Sequence, residues 1–519
     1  MNRKSIYDRI EEAKNGTRIP VFSNGHTMES RYNPQRDAEN LCNNIIDGSF
    51  FVVIGIGSGI FIKSLLQKLN SKSTPVKIIA VEKSADDLDF LSDLETVREL
   101  LENHQVILCH SENLSEVLTQ NYLPAKYGNL QIIEQRGWVN ENTQTYIQIK
   151  EILKKTLSII SADYSVQAHF GKIWVHNIMN NARLLRKTSN HEDCFCRIQK
   201  AAAENKTAVI IAAGPSLDSM INQLADSNMR KNLFIISTDT AWQSLSKYGI
   251  NADAVVSIDG QSVSYNHFIK NIKDKSLQAE DFSSPLFFFD LCANTSALKY
   301  ITENDFPVIL FSSGHPLSTA INNFSGNALP FLFSGAGTVT ITALDLALRS
   351  GFKNIKILGA DFSYSNGKPY TKGTYLDSLY NFSAEKINCM EKTFTKLMYR
   401  TPLTDYGNGH FSSAVLEAYK TSLENYLNEN RISFSCNNFV YELKVPQNVS
   451  NLYQSDFTYL PHKFNYENFI EELKKSEAQT VENLLMPYIA YLRQKSQLQN
   501  QPYNELLKLA LGRIVSYNI

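Results

Sequence analysis

The chain of 519 residues has almost no imbalance of charge, with 51 Lys and Arg against 52 Asp and Glu and a formal net charge of −1. It has no basic stripe and no Lys/Arg cluster, which argues against binding to nucleic acid or to a membrane surface. No apolar run approaches the ~20 residues that span a bilayer, and the first residues lack the apolar core of a secretory signal. We therefore expect no nucleic-acid partner, no membrane span and no secretory signal.

Cysteine is also scarce and unpatterned. The seven cysteines are an odd number, and Cys194 and Cys196 form a C-x-C without a second pair at the spacing of a zinc site. A reduced, cytoplasmic protein is the simplest interpretation. No internal repeat or low-complexity segment is evident, and the length predicts about two to four domains with a large core.

The most informative segment is a predicted strand, residues 208–213, followed by Gly214, Pro215 and Ser216 and then a predicted helix. Glycine lets the backbone approach a ligand closely, proline suits the first turn of a helix, and serine caps helices. The N–H groups and the dipole of such a helix favour an anion such as the phosphate of a nucleotide. An ordinary strand-to-helix turn gives the same pattern, so this segment alone leaves the function open.

Several further predicted strands end in small or polar residues. These residues are Asp239 with Thr240, Asp259 with Gly260, Ser312 with Ser313, and Asp361. Helical patterns lie between several of the strands, which predicts an α/β fold with a mostly parallel sheet and right-handed crossovers. In such sheets the ligand crevice lies beyond the carboxyl ends of the strands. We therefore expect these residues to surround one crevice together with Gly214 and Gly337.

Residues 1–160 show a second nucleotide-binding pattern. Gly55, Gly57 and Gly59 follow a predicted strand, and Glu82 ends the next one. This is the pattern of a Rossmann-like domain, and methyl-transfer enzymes use it to bind S-adenosylmethionine. Because a fold does not carry a function, and no set of catalytic residues stands out near the turn, we favour a Rossmann-like domain without a cofactor.

The rest of the chain divides into two predicted regions. Residues 161–435 form a central α/β domain with a helical lead-in, and residues 436–519 form a C-terminal region. The C-terminal region starts with a loop-like stretch and continues in helical patterns over residues 466–475 and 480–496. We expect a helical domain that serves packing, oligomerisation or a partner, and the oligomeric state stays open.

Four motifs in the central region, taken together, resemble known families. They are Gly214-Pro215-Ser216-Leu217, residues 334–340, residues 359–364 with Tyr370, and Gly409-His410. Segments of this region resemble the bacterial sialyltransferases that take sialic acid from CMP-sialic acid. The layout of most of the chain resembles the motility-associated factor (Maf) family of flagellin glycosyltransferases, which combine a Rossmann-like domain, a sialyltransferase-like domain and a helical domain.

The resemblance implies roles for individual residues. The residues that match nucleotide-binding loops of the sialyltransferases are Gly214, Pro215, Ser216, Gly335, Gly337 and Thr338. Tyr364 and Tyr370 resemble a pair that hydrogen-bonds the departing phosphate, with Ser363 as the alternative to Tyr364. Two phenols can stabilise the charge that develops on CMP without a metal, so this interpretation requires no cofactor.

His410 resembles the histidine that acts as general base just before a helix in the sialyltransferases. A neutral imidazole near its usual pKa can take the proton of an acceptor hydroxyl at neutral pH. The resemblance therefore implies an inverting, CMP-dependent glycosyltransferase that moves a pseudaminic, legionaminic or sialic type of nonulosonic acid to Ser or Thr of flagellin, as flagellar assembly and motility require. His315, which also follows a predicted strand, is the rival base, and a capping or surface histidine is the alternative for His410.

Asp239 and Asp259 depart from the sialyltransferase pattern, in which asparagines stand at the strand ends. Two carboxylates repel a phosphate unless they bind a divalent cation, a sugar hydroxyl or an amine. These residues are therefore candidate ligands of Mg²⁺ or Mn²⁺. They also suggest the archaeal pterin pyrophosphokinases, which share the Gly-Pro-Ser domain and transfer diphosphate from ATP. The alternatives are thus an ATP- and Mg-dependent transferase of that kind and a non-catalytic flagellin-binding scaffold.

Overall fold

The structure is a computed structural model that describes residues 5–70, 75–269, 284–335, 337–446, 458–499 and 501–518. The chain forms two compact units. The first unit is Met1–Lys172 with Leu485–Gly512, and the second unit is Ile173–Leu484 with Arg513–Ile519. Parallel strands alternate with helices in both units, which confirms the predicted α/β fold class.

The first unit is built on a parallel sheet of four strands in the order β5-β4-β3-β6, next to a two-stranded antiparallel sheet. Its strands are β1 (Tyr7–Glu12), β2 (Arg18–Phe22), β3 (Phe50–Ile54), β4 (Lys77–Glu82), β5 (Val106–His110) and β6 (Leu130–Glu134). All five residues of β3 are buried, as expected of a central parallel strand that is covered on both faces. This is the Rossmann-like arrangement predicted for the N-terminal region.

The helices of the first unit lie between and after these strands. They are Pro34–Asn43, Ile60–Asn70, Ala85–Leu91, Glu95–Leu101, Leu114–Asn121, Pro124–Tyr127 and Arg136–Glu141. Three further helices contain residues of both units: Thr143–Leu184, Glu482–Arg493 and Tyr503–Val515. We call Thr143–Leu184 the long helix.

The second unit is built on an eight-stranded sheet in the order β11-β10-β9-β8-β7-β12-β17-β16. Its first six strands in the chain are β7 (Thr207–Ile211), β8 (Leu233–Thr238), β9 (Ala254–Ser257), β10 (Leu286–Asp290), β11 (Val308–Phe311) and β12 (Asn354–Leu358). Neighbours among these six strands pair in parallel. Their carboxyl ends therefore meet at one edge of the sheet, which places Gly214, Asp239, Asp259, Ser313 and Asp361 at that edge as predicted.

Helices and a small sheet complete the second unit. Its α-helices are Glu192–Ala203, Leu217–Leu224, Ser227–Arg230, Asp239–Lys247, Thr295–Glu303, Pro316–Phe324, Val339–Arg349, Tyr375–Phe382, Met390–Met398, Ala414–Glu429 and Tyr466–Lys475. Its 3-10 helices are Leu185–His191, Ser262–His267, Pro461–Lys463 and Ser516–Asn518. The small antiparallel sheet has the order β13-β15-β14, with β13 (Tyr364–Ser365), β14 (Thr404–Gly407) and β15 (His410–Ser412).

The prediction of a loop-like stretch after residue 435 is wrong over part of that stretch. β16 (Ser433–Asn437) and β17 (Val440–Lys444) form an antiparallel hairpin, and β17 pairs with β12 at the edge of the large sheet. The alternation of buried Tyr441 and Leu443 with exposed Glu442 and Lys444 is the period of a strand that is covered on one face. The segment is too short and too polar for that period to stand out in the sequence. The helices after residue 466 agree with the prediction.

The long helix fixes loops at the carboxyl edge of the large sheet through two buried asparagines. The Nδ2 of Asn177 donates to the carbonyls of Gly260 and Cys292, each at 3.0 Å. The Nδ2 of Asn181 donates to the carbonyls of Leu291 and Ala293, at 3.0 and 2.8 Å. Buried carbonyls require such partners, so these residues set the path of the chain after β9 and β10. No helix in the described ranges is long and apolar enough to cross a membrane.

Replacement of Asn177 with Ala tests this anchoring. The variant leaves two buried carbonyls without their donor, and we expect the free energy of unfolding to fall by about 2 kcal/mol, as measured by urea denaturation. Asn180→Ala is the matched control, because among the described residues the Asn180 amide donates only to His176, one turn away on the same helix. It is expected to change stability by less than about 0.5 kcal/mol. Equal effects of the two substitutions would show that the anchoring bonds contribute nothing.

Candidate active site

The large sheet has a topological switch point between β7 and β12. From β7 the chain adds β8, β9, β10 and β11 on one side, and it then returns to place β12 on the other side of β7. Connections that leave in opposite directions open a crevice above the two strand ends. The candidate site is therefore built from the loops that leave the carboxyl ends of β7 and β12.

The turn after β7 is joined to the turn after β12 by hydrogen bonds. The Gly214 N–H donates to the Gly359 carbonyl at 2.7 Å. The Ser216 N–H donates to the Asp361 carboxylate at 2.8 Å, and the Ser216 hydroxyl donates to its other oxygen. A Cβ at Gly214 would overlap the Gly359 carbonyl and the Asp361 carboxylate. Glycine is therefore required here for contact within the protein.

Asp361 thus accepts from the Ser216 N–H, one of the groups that were expected to bind a nucleotide phosphate. Burial raises the pKa of Asp361, whereas the Ser216 hydrogen bonds and the nearby His410 lower it. A carboxylate at the N-terminus of a helix is electrostatically favourable. Ser216 and Asp361 therefore act first on each other and form the floor of the crevice.

The loop after Asp361 is held down on the Gly-Pro-Ser turn. The Thr371 N–H donates to the Ala213 carbonyl at 2.9 Å. Asp218, in the first turn of the helix Leu217–Leu224, accepts from the Thr371 hydroxyl, from the Lys372 N–H at 2.9 Å and from the Lys368 ammonium at 3.3 Å. These contacts fix the segment that carries the predicted Tyr364 and Tyr370 above the switch point.

His410 lies in a pocket that it shares with Asp361. Its Nδ1 is 2.9 Å from the Ser365 hydroxyl on the neighbouring strand β13, and its ring centroid is 5.2 Å from that of Phe439. The pocket has a volume of about 170 Å³. Its other lining residues include Phe362, Ser363, Tyr406, Glu417 and Lys420. Since Nδ1 is engaged with Ser365, Nε2 is the nitrogen that remains for proton transfer.

The two predicted tyrosines lie close to each other. Burial raises the pKa of Tyr370, and Tyr364, Tyr380 and Tyr419 raise it further, while Arg400 lowers it. Tyr370 is 36% exposed as a whole residue. Phenols and a guanidinium around one point form a set of hydrogen-bond donors suited to an anion.

Gly337, just before the helix Val339–Arg349, lies beside Tyr419. Gly337 has a φ of +69°, and the Tyr419 ring lies 3.5 Å from the position of a Cβ at Gly337. Gly335 is exposed, and Thr338 precedes the helix Val339–Arg349 without a side-chain capping bond. Ala336 lies outside the described residues. The structure thus brings Gly337 to Tyr419, while the predicted contact of residues 334–338 with a cytidine nucleotide stays a prediction.

Asp239 and Asp259 differ in their availability to a ligand. Asp239 is only 2% exposed, and its oxygens accept from the Thr240 N–H and the Ser257 hydroxyl, each at 2.7 Å. Asp259 is half-buried and accepts from the Gln261 N–H at 2.9 Å. Burial and the charge of Asp239 raise the pKa of Asp259. Asp239 and Thr240 are therefore engaged with each other, and Asp259 is the more accessible carboxylate.

Gly260 and Ser312 are occupied by structural contacts. The Gly260 carbonyl accepts the Asn177 amide. Ser312 is buried in a bridge to Phe331 beside β11. In the described part of the chain, no group of three or more His, Cys, Asp or Glu side chains is arranged to hold a metal ion.

Asp290 is a buried carboxylate that sequence reasoning missed. It ends β10, and its Oδ1 accepts from the Cys292 N–H at 2.8 Å. Burial raises the pKa of Asp290 to about 6, against hydrogen bonds from Ser313 and Ser334 that lower it. Asp290 therefore ties Ser313 and the start of the 334–338 loop to the sheet. The signal was present, because residues 286–290 form an apolar run that ends in Asp like the other strands.

His315, the rival base, has a capping contact. Its Nδ1 accepts from the Leu317 N–H at 3.2 Å at the start of the helix Pro316–Phe324. Burial lowers the pKa of His315 to about 4, which favours the neutral imidazole. His315 does not line the pocket around His410.

The predicted glycine turn of the first unit is filled by the protein itself. Gly57 has a φ of +56°, and a Cβ there would overlap Met28 and Glu29. Glu29 accepts from the Ser58 N–H at 2.5 Å. Glu82 is buried and accepts from the Tyr7 hydroxyl, the Ile56 N–H and the Trp138 indole. The groups that a nucleoside cofactor would use are therefore engaged with protein groups.

Comparison with known proteins finds similarity over part of the second unit. Residues 176–367 match the family described as "6-hydroxymethylpterin diphosphokinase MptE-like". An uncharacterized protein of Treponema pallidum (strain Nichols) is 29% identical over 232 residues, which cover 44% of this chain and 75% of that protein. A second one is 30% identical over 156 residues, which cover 30% of this chain and 70% of that protein. The chain belongs to the same family as this second Treponema pallidum protein.

A solved structure described as "Structure of MAf glycosyltransferase from Magnetospirillum magneticum AMB-1" aligns with 98% of this chain and 90% of that one. The sequence identity is 14% and the TM-score is 0.46. At this level the likeness does not assign an activity to the chain.

The Asp290 carboxyl predicts a pH dependence of stability. Its pKa of about 6 exceeds the ordinary 3.8, so the folded protein holds the proton more tightly, and the resulting stability is present below about pH 4 and is lost as the pH rises through 6. Asp290→Asn removes this titration. Between about pH 4 and pH 7, the variant should gain about 2 kcal/mol relative to the wild type in urea unfolding. Parallel pH profiles for the two proteins would contradict this assignment.

Proposed function

We propose that the protein is an inverting glycosyltransferase that moves a CMP-activated nonulosonic acid to Ser or Thr hydroxyls of a flagellin-like protein. The observation that carries the proposal is the pocket at the switch point, where His410 and Asp361 lie together. A proton acceptor beside a nucleotide-type turn is what glycosyl transfer to a hydroxyl requires. The four motifs that resemble sialyltransferases and Maf proteins supply the class of donor and acceptor.

In the proposed reaction, Nε2 of His410 takes the proton of the acceptor hydroxyl. The hydroxyl oxygen forms a bond to the anomeric carbon as the bond from that carbon to the phosphate oxygen of CMP breaks. Attack from the face opposite CMP inverts the configuration, and the bond electrons leave with CMP. The contact between Nδ1 and Ser365 orients the ring for this transfer, since an engaged nitrogen fixes which nitrogen exchanges the proton.

The leaving phosphate would receive hydrogen bonds from Tyr364 and Tyr370. Burial raises the pKa of Tyr370, so the phenol keeps its proton at neutral pH and acts as a donor. Donors fixed in place before the reaction stabilise the charge that develops on the leaving group. Arg400, which lies within electrostatic reach of Tyr370, adds a positive charge to this side of the crevice.

A second candidate is an ATP- and Mg²⁺-dependent transfer of diphosphate, as in a pterin pyrophosphokinase. The match of residues 176–367 to the MptE-like family favours it. Asp259, with an oxygen accessible to a ligand, would be the residue nearest to a metal–nucleotide complex. His410 favours glycosyl transfer over diphosphate transfer. It lies in β15, outside the residues that match the MptE-like family, so that family does not account for it.

A panel of nucleotides separates the two candidates. Thermal unfolding is measured with CMP, CDP, ATP and S-adenosylmethionine, each with and without Mg²⁺. A specific ligand at a hundredfold excess over Kd stabilises the fold by about 3 kcal/mol. We expect a shift with CMP, and no shift with S-adenosylmethionine because the turn at Gly57 is filled. A shift with ATP and Mg²⁺ but not with CMP would favour diphosphate transfer.

Replacement of His410 with Ala tests the assignment of the base. A positioned general base contributes about 100- to 10,000-fold to rate, so the variant should transfer sugar at least about 100-fold more slowly. Its Kd for CMP should stay within about twofold, because the base acts on the acceptor. Transfer is measured with CMP-activated nonulosonic acids and flagellin.

His315→Ala is the control variant for this test. His315 caps a helix and lies outside the His410 pocket, so its loss should leave the rate per folded molecule nearly unchanged. Loss of transfer in His315→Ala with retention in His410→Ala would reverse the assignment. Full activity of both variants, together with no binding of CMP, would remove glycosyl transfer as the function.

A further inference from the structure

His267 is a buried histidine at the crevice that has no role in the proposed transfer reaction. It is 7% exposed, and its buried Nδ1 has no hydrogen-bond partner among the described residues. A buried polar atom without a partner is costly and calls for an explanation. The residue ends the 3-10 helix Ser262–His267, which comes shortly after the carboxyl end of β9. No sequence pattern distinguishes His267 from an ordinary surface histidine.

The position of His267 is fixed from two sides. The carbonyl of the preceding residue, Asn266, accepts from the Gln243 amide at 2.6 Å. The ring packs edge-on against Tyr375, with 4.7 Å between the ring centroids. The imidazole is therefore held beside Tyr375 in a defined orientation, as a binding group must be.

Asp259 is joined to the 3-10 helix that carries His267, because the Ser264 hydroxyl donates to the Asp259 carbonyl at 3.1 Å, and Tyr375 packs against the His267 ring. Burial raises the pKa of Tyr375 to about 12, with smaller contributions from Tyr370, Tyr380, Asp259 and Asp239. Burial raises the pKa of Asp259, and the charge of His267 lowers it. One Asp259 oxygen accepts from Gln261, and the other makes no hydrogen bond in the described part of the chain. An acceptor oxygen, an imidazole nitrogen and a phenol are thus gathered within electrostatic reach of one another.

The chemistry of this cluster selects a neutral ligand with hydroxyl groups. Asp239 and Asp259 place negative charge here, so a phosphate is repelled. A carboxylate oxygen accepts readily from hydroxyl groups, and an acidic side chain at a strand end commonly binds ribose in nucleotide-binding folds. The segment that carries Tyr370 is held on the turn after β7 by the Thr371 N–H, and Tyr370 also lies within electrostatic reach of Tyr375. β9 is two strands from β7, which amounts to roughly 10 Å along the edge of the sheet.

We propose that Asp259, His267 and Tyr375 form a subsite for the vicinal hydroxyls of ribose, an inference that rests on the proposed use of a ribonucleotide donor. The Asp259 oxygen accepts from the 2′-hydroxyl, the His267 nitrogen pairs with the neighbouring 3′-hydroxyl, and the Tyr375 phenol donates to another ribose oxygen. The nucleotide then lies along the carboxyl edge of the sheet, with its phosphate at Tyr364 and Tyr370. The subsite makes the enzyme selective for ribonucleotides over deoxyribonucleotides.

The test is a comparison of CMP with 2′-deoxycytidine monophosphate by isothermal titration. The wild type should bind CMP at least about tenfold more tightly, the value of one hydrogen bond to a charged group. Asp259→Ala should reduce this ratio to within about threefold, whereas His267→Phe and Tyr375→Phe, which lose contacts to oxygens present in both ligands, should weaken binding of both. His267→Phe retains the packing against Tyr375, so its effect reports the loss of the nitrogens.

Asp226→Ala is the matched control. Asp226 accepts from the N–H two residues ahead at 2.9 Å, as Asp259 does, but it precedes β8 and lies at the opposite end of the strands. It should leave the preference for CMP over 2′-deoxy-CMP unchanged.

The subsite is overturned if the wild type shows no preference or if Asp259→Ala leaves the ratio unchanged. Binding of CMP would still uphold the proposed function in that case. If only ATP binds, the ratio of ATP to 2′-deoxy-ATP decides the subsite, and glycosyl transfer fails. If neither nucleotide binds, both inferences fail.

Discussion

The hydrogen bonds from Ser216 to Asp361 hold together the two strand ends on which the candidate site is built. They satisfy an N–H at the start of the helix Leu217–Leu224 and place a carboxylate where the helix dipole favours it. They also fix the chain as it leaves β12. The segment that carries the tyrosines, and the small sheet that carries His410, start from this fixed point. A ligand in the crevice therefore meets a surface whose polar groups are already arranged.

The crevice has two electrostatically different sides. On the side of β8 to β10, Asp239, Asp259 and Asp290 are partly or fully buried, and burial raises the pKa of Asp259 and Asp290. On the side of β7 and β12, phenols surround Tyr370 and Arg400 lies within reach. Buried carboxylates repel an anion and attract hydroxyl groups, whereas phenols and a guanidinium donate to an anion. In the proposed function, this difference would orient a ligand that has both a phosphate and a sugar.

The glycine turn of the first unit shows that a sequence motif does not by itself establish a binding site. The pattern of Gly55, Gly57 and Gly59 before a helix correctly predicts a Rossmann-type turn. In the folded unit, however, Glu29 accepts the Ser58 N–H and Trp138 donates to Glu82. These hydrogen-bond partners come from segments far apart in the chain, so no local sequence pattern predicts them. The same holds for Ser216 and Asp361, which are 145 residues apart.

The sequence by itself determined the α/β class and the edge of the sheet at which the polar residues meet. Both follow from local properties, because apolar runs form buried strands and parallel strands align their ends. His410 was a candidate only through the resemblance to sialyltransferases. Only the tertiary structure decided that the hairpin of β16 and β17 joins the sheet, that Asp239 is engaged and Asp259 accessible, and that His267 faces Tyr375. Those outcomes depend on which distant groups compete for each hydrogen bond, and that competition exists only once the chain has folded.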